Sequence, residues 1–135
     1  MLKRITVFSL ISLLIVGCGD DTGPEAGLVG TWRLQSVDGQ ALPWVLDEPG
    51  VDKLEVTEEI YTLHEGGVFS MTTTFRVTDN GEVSSETVPD NGTYTIDGSS
   101  VTFTYASDGS TDVATVASST MTLDDIGHTF AYRRD

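Results

Sequence analysis

Cys18 is the only cysteine of the 135-residue chain, and His64 and His128 are its only histidines. Covalent, redox or metal chemistry would therefore have to be built on very few side chains. A lone thiol can be acylated or can react, but it cannot close an internal disulfide. His64-Glu65 adjoins the Gly66-Gly67 pair and reads as a solvated loop rather than half of a metal site. His128 shares strand parity with Phe130 and Tyr132, which puts it at the mouth of a β-structure, where a structural role outweighs acid–base work. Asp108 to Asp112, DGSTD, resembles a calcium loop but lacks the spacing and the distal Glu, so a hairpin turn is expected. No nucleophile elbow, phosphate-binding loop, H-E-x-x-H or paired-cysteine motif occurs. The sequence assigns no catalytic residue, no metal ligand and no cofactor, and points to binding rather than catalysis.

Cys18 sits where an apolar run gives way to acids. Lys3 and Arg4 precede Ile5 to Val16, a stretch broken only by Thr6, Ser9 and Ser12. Its length suits a secretory leader and falls short of the ~20 residues that span a bilayer. Ile15-Val16-Gly17-Cys18 resembles the lipobox of bacterial lipoproteins, with Ile where Leu is usual. The resemblance implies that residues 1–17 are a signal peptide and that Cys18 is lipidated and becomes the mature N-terminus. Two or more acyl chains hold such a protein firmly, because each buried methylene contributes ~0.8 kcal/mol. Residues 18–27, rich in Gly, Asp and Pro, read as the lipidated cysteine and a flexible tether. Gly19, where Asp would favour inner-membrane retention in enterobacterial lipoproteins, implies a cell-envelope protein on the outer membrane, facing the periplasm or the exterior.

Removing Lys3 and Arg4 with the leader takes the formal net charge from −14 to −16. That charge repels nucleic acid and anionic lipid surfaces. It suits a soluble domain attached to a membrane only through its lipid. The acids are scattered, so most are expected on a solvated face. Residues 28–135 suit one domain of ordinary size, and a monomer is the default.

The elements of that domain follow from period-2 alternation and turn residues. Val68 to Thr78 alternates most clearly, with Phe69, Met71, Thr73, Phe75 and Val77 on one face. Strands are expected near 29–37, 53–64, 67–78, 82–88, 92–97, 100–106, 111–117, 119–124 and 127–134. Asn80-Gly81, Asn91-Gly92, Asp97-Gly98 and Asp108-Gly109 read as hairpin turns. Within 53–64, Leu54 and Val56 share one parity and Tyr61 and Leu63 the other, which calls for a bulge around 57–59. Segment 82–88 is too polar for a central strand and reads as an edge or a protruding hairpin, and Ala41 to Glu48 has room for one helical turn. The fold class is all-β: an antiparallel up-and-down barrel of about eight to nine strands.

Gly30-Thr31-Trp32 on the first strand resembles the G-x-W motif of the lipocalin and fatty-acid-binding superfamily. There the Trp plugs one end of the barrel, and an Arg of the last strand packs across it. The chain ends Tyr132-Arg133-Arg134-Asp135, so Arg133 and Arg134 are the candidates to pack on Trp32. The opening phrase from Leu28 and the terminal YRR also look like those of small bacterial lipocalin-like lipoproteins. The resemblance implies a small hydrophobic ligand in the barrel interior. Tyr61, Phe69, Met71, Phe75, Phe103, Tyr105 and Tyr132 are the candidate wall, with the tyrosine hydroxyls and Arg134 as polar anchors. A barrel of this size is either just filled by side chains or holds one small ligand, and the sequence leaves both open. The alternative function is a protein-interaction module, such as an envelope protease or lysozyme inhibitor, acting through loops.

Overall fold

A computed structural model describes residues 27–135. The expected signal peptide, Cys18 and the expected tether as far as residue 26 lie outside the described residues. Ten strands follow in order: β1 (Gly30–Val37), β2 (Gln40–Ala41), β3 (Trp44–Leu46), β4 (Lys53–His64), β5 (Val68–Asp79), β6 (Glu82–Asp97), β7 (Ser100–Tyr105), β8 (Thr111–Ala117), β9 (Thr120–Asp125) and β10 (His128–Arg134). Every pairing is antiparallel. Neighbours run β1-β10-β9-β8-β7-β6-β5-β4, and β1 pairs β4 to close an eight-stranded barrel. Closure removes the sheet edges that an open meander would expose. The all-β, up-and-down expectation holds, and among the described residues there is no helix.

The bulge in β4 lies where the parity change required it. The pairing with β5 slips between Val56 and Glu58, and Thr57, the extra residue, turns its hydroxyl to the Thr74 carbonyl at 3.2 Å. Val56 before the bulge and Tyr61 and Leu63 after it all enter the core. The two-residue turn Asn80-Gly81 has positive φ at both positions, 53° and 82°, as a tight hairpin with right-handed strand twist requires.

Two expectations are corrected. Asn91-Gly92 is not a turn: segments 82–88 and 92–97 are one continuous strand, β6, paired with β5 along its length. Gly92 is there because β5 and β7 crowd it. A Cβ would come within 1.9 Å of the Thr104 carbonyl oxygen and 2.9 Å of the Phe69 ring. The hairpin of β5 and β6 does protrude, since the backbone of Glu82–Asp90 pairs only with β5 while β7 joins at Gly92. Ala41 to Glu48 forms no helical turn. Its residues form β2 and β3 on either side of a cis Leu42–Pro43 bond. β1 pairs β4 directly only over Gly30–Arg33. Beyond that point the two strands separate, with β2 on β1 and β3 on β4.

The core is uneven along the barrel axis. At the end where β1 begins, Trp32 is wholly buried among Leu28, Leu63, Val101 and Met121. At the other end the strands diverge around an open mouth.

Candidate functional site

A cavity of about 340 Å³ opens at the end away from Trp32. Its apolar wall is Leu34, Trp44, Leu46, Val56, Met71, Phe75, Leu123 and Phe130. Each of these comes from an inward-facing strand position or from the β2–β3 segment laid across the diverging seam. Trp44 is fixed there by edge-on ring contacts with His128 at 5.1 Å and Phe130 at 5.3 Å. His128 in turn bonds through Nδ1 to Asp38 at 2.7 Å, and Thr129 donates its backbone N–H to the same carboxylate. That pairing holds Asp38 below its ordinary pKa, chiefly through the His128 contact.

Tyr61 forms the floor. Its ring lies 4.9 Å from Phe103, 5.7 Å from Phe69 and 5.3 Å from Tyr132. Phe69 and Phe103 pack edge-to-face at 5.0 Å below it. Of the seven candidate wall residues, Tyr61, Met71, Phe75, Tyr105 and Tyr132 line the cavity. Phe69 and Phe103 do not: they fill the layer beneath the floor and are wholly buried. Period-2 geometry gives the face of a strand but not the depth along the barrel, so parity alone does not separate these two from the wall.

The sequence points to the tyrosine hydroxyls but not to the carboxylates they meet. The β4 bulge turns Glu59 into the barrel, where it accepts hydrogen bonds from Tyr132 and, at 2.8 Å, from Thr73. Burial pushes its carboxyl above the ordinary value, against those two hydrogen bonds and with help from the nearby charges of Asp112 and Asp125. Tyr61 and Tyr105 share a hydrogen bond, and Tyr105 donates onward to Asp112 at 2.8 Å. Burial raises Tyr61 and Tyr132 well above the usual phenol pKa, so both keep their protons. A signal for Glu59 was present in the sequence: it shares the parity of Tyr61 and Leu63 once the bulge is accepted.

Trp32 and the terminal arginines lie at the opposite end. The Trp32 indole N–H donates to the Leu28 carbonyl at 2.9 Å. The Arg134 guanidinium sits 5.9 Å from the centre of the indole ring and donates to the Gly27 carbonyl. Arg134 is thus a partner of Trp32 and not an anchor in the cavity. Arg133, one residue out of phase, is exposed on the outer surface.

A closed eight-stranded antiparallel barrel belongs to the class whose interior is either filled by side chains or has room for one small ligand. This chain belongs to the lipocalin-like domain family, whose sequence model matches residues 28–124. Two solved structures are similar in fold. A lipocalin-like protein from Bacteroides uniformis has 14% identity and a TM-score of 0.47 over 81% of this chain and 99% of that one. An uncharacterized protein from Bacteroides eggerthii has 14% identity and a TM-score of 0.44 over 79% and 98%. No curated protein matches the chain.

Proposed function

We propose that this protein is a lipid-anchored envelope protein that binds one small, largely apolar molecule without chemically changing it. The observation that carries the reading is the one-sided hollow. Its volume falls in the range of small-ligand sites, and its lining combines an apolar wall with hydroxyl and carboxylate groups. Family membership supports the same reading. Native mass spectrometry of the protein purified from its own host tests it: the reading expects a non-covalent small-molecule adduct that mild activation removes, and a protein partner in its place would overturn it.

Anchoring rests on the sequence alone, on Lys3, Arg4, the apolar run and the Ile15–Cys18 phrase. Cys18→Ala is expected to leave an unlipidated, unprocessed precursor. Metabolic labelling with palmitate checks this, and equal label on the variant would refute it. Placement on the outer membrane is part of the same proposal and follows from Gly19.

One observation favours the interaction-module alternative. The outer half of β6 has a free backbone edge and exposes Val83 and Val88. Glu82, Glu86 and Pro89 along that strand are, however, the residue types that discourage strand addition. The cavity is the stronger feature.

A further inference from the structure

We infer that the cavity selects an amphipathic amine: an apolar, preferably aromatic body carrying an ammonium group that settles at Glu59. The inference rests on the binding reading above and assigns the chemical class of its ligand.

The argument begins with the donors of the lining. Six hydroxyl groups border the cavity, those of Tyr61, Thr73, Tyr105, Ser107, Ser110 and Tyr132. All six have partners within the lining itself. Tyr132 and Thr73 donate to Glu59, Tyr105 to Asp112, Ser107 to Asp90 and Ser110 to Asp108. With the Tyr105 proton on Asp112, the hydrogen bond between the two phenols is donated by Tyr61. What the hydroxyls and carboxylates still offer a ligand is therefore lone pairs. The Trp44 indole N–H is the remaining side-chain donor of the lining.

The charges agree. Glu59, Asp90, Asp108, Asp112 and Asp125 border the cavity, and among the described residues no Lys, Arg or His does. Arg33 and Arg76 engage Glu58 and Glu55, which are not among the lining residues. A ligand carboxylate entering here would meet like charge and hydrogen-bond acceptors, both unfavourable in a partly desolvated space. An ammonium brings three donors and the opposite charge. The acids ring the cavity rather than converge, and among the described residues no three ligating side chains are grouped to hold a metal ion. The aromatic rings of Tyr61, Phe75 and Trp44 in the lining add an environment that favours an organic cation.

Glu59 stands apart from the acids of the rim. Burial raises its carboxyl pKa, and the Tyr132 and Thr73 hydroxyls donate to it and fix its orientation. An ammonium bonded to it leaves the rest of the ligand among Met71, Phe75, Leu34 and Leu123, so one contact sets the orientation and the wall supplies burial.

The test uses three probes with one apolar body: 4-phenylbutylamine, 4-phenylbutanol and 4-phenylbutyrate, titrated calorimetrically into the whole protein at neutral pH. The amine is expected to bind roughly tenfold more tightly than the alcohol, and the acid more weakly than either. Glu59→Gln should erase the advantage of the amine while leaving alcohol binding in place. Asp112→Asn, nearer the mouth, should reduce the advantage only in part. Equal binding of acid and amine, or an amine advantage that survives Glu59→Gln, would overturn the inference while the binding reading stands. Failure of all three probes to bind would overturn both.

Discussion

The two ends of this barrel are built from the same alternating strands and end up with opposite physical character. At the Trp32 end, inward positions carry Leu63, Phe69, Val101, Phe103 and Met121, all with at most 1% exposure. At the Glu59 end, the β4 bulge, the separation of β1 from β4 and the protruding β5–β6 hairpin spread the same strands apart. Leu34, Met71, Phe75 and Leu123 line an open cavity there instead of packing it shut. The comparison shows how a meander can form a stable core and a binding site at once: stability is concentrated in the packed half, and the other half can carry buried polar groups.

Substitutions that respect the difference should affect one end and not the other. The largest effect is expected at Trp32. Trp32→Ala removes the side chain that closes the packed end and should cost ~3–5 kcal/mol, read as a drop in thermal midpoint. An unmeasurable shift would mean that the two ends do not differ as described. Next come changes that overfill the packed half. Phe103→Trp should cost ~1–3 kcal/mol. Gly92→Ala should cost at least as much, because its Cβ would collide with the Thr104 backbone as well as the Phe69 ring. Chemical denaturation of both variants is the check. Phe75→Trp, which adds bulk into the cavity, should leave stability within about 0.5 kcal/mol of the parent.

Glu59→Gln sharpens the comparison through pH. Burial raises the Glu59 carboxyl pKa in the folded protein above its ordinary value. The folded state therefore holds that proton more tightly than the unfolded state. Stability from this group is fully present below the unfolded value and is lost as pH rises through the folded one. Thermal melts across that range should show Glu59→Gln matching the parent in acid and exceeding it at neutral pH. Parallel curves would mean that Glu59 is not desolvated.

Much of the fold was legible because it depends on local signals. Phe69 to Val77 declared a strand by alternation, Asn80-Gly81 declared its turn by tolerance of positive φ, and the parity change between Val56 and Tyr61 required the bulge. Asn91-Gly92 misled because the same dipeptide serves a turn and a crowded strand crossing, and only the positions of Thr104 and Phe69 separate the two. Trp44 and Leu46 formed a seam strand rather than a helical turn because pairing with Val56 and Leu54 decides their state. The site was half legible. Tyr61, Met71, Phe75, Tyr105 and Tyr132 follow from parity, whereas the depth that removes Phe69 and Phe103 from the wall depends on the register of strands far apart in sequence. Glu59 is not legible in the sequence because a carboxylate in an acidic chain reads as solvated surface until the bulge turns it inward.

The most direct test of the account is a binding titration with 4-phenylbutanol, the uncharged probe, on three proteins side by side: the parent, Phe75→Trp and Phe103→Trp. The account predicts saturable one-to-one binding to the parent, clearly weakened binding to Phe75→Trp, and near-parental binding to Phe103→Trp at a temperature where that variant is folded. Absence of saturable binding to the parent, or equal loss in both variants, would contradict a barrel that is packed at one end and open to a ligand at the other.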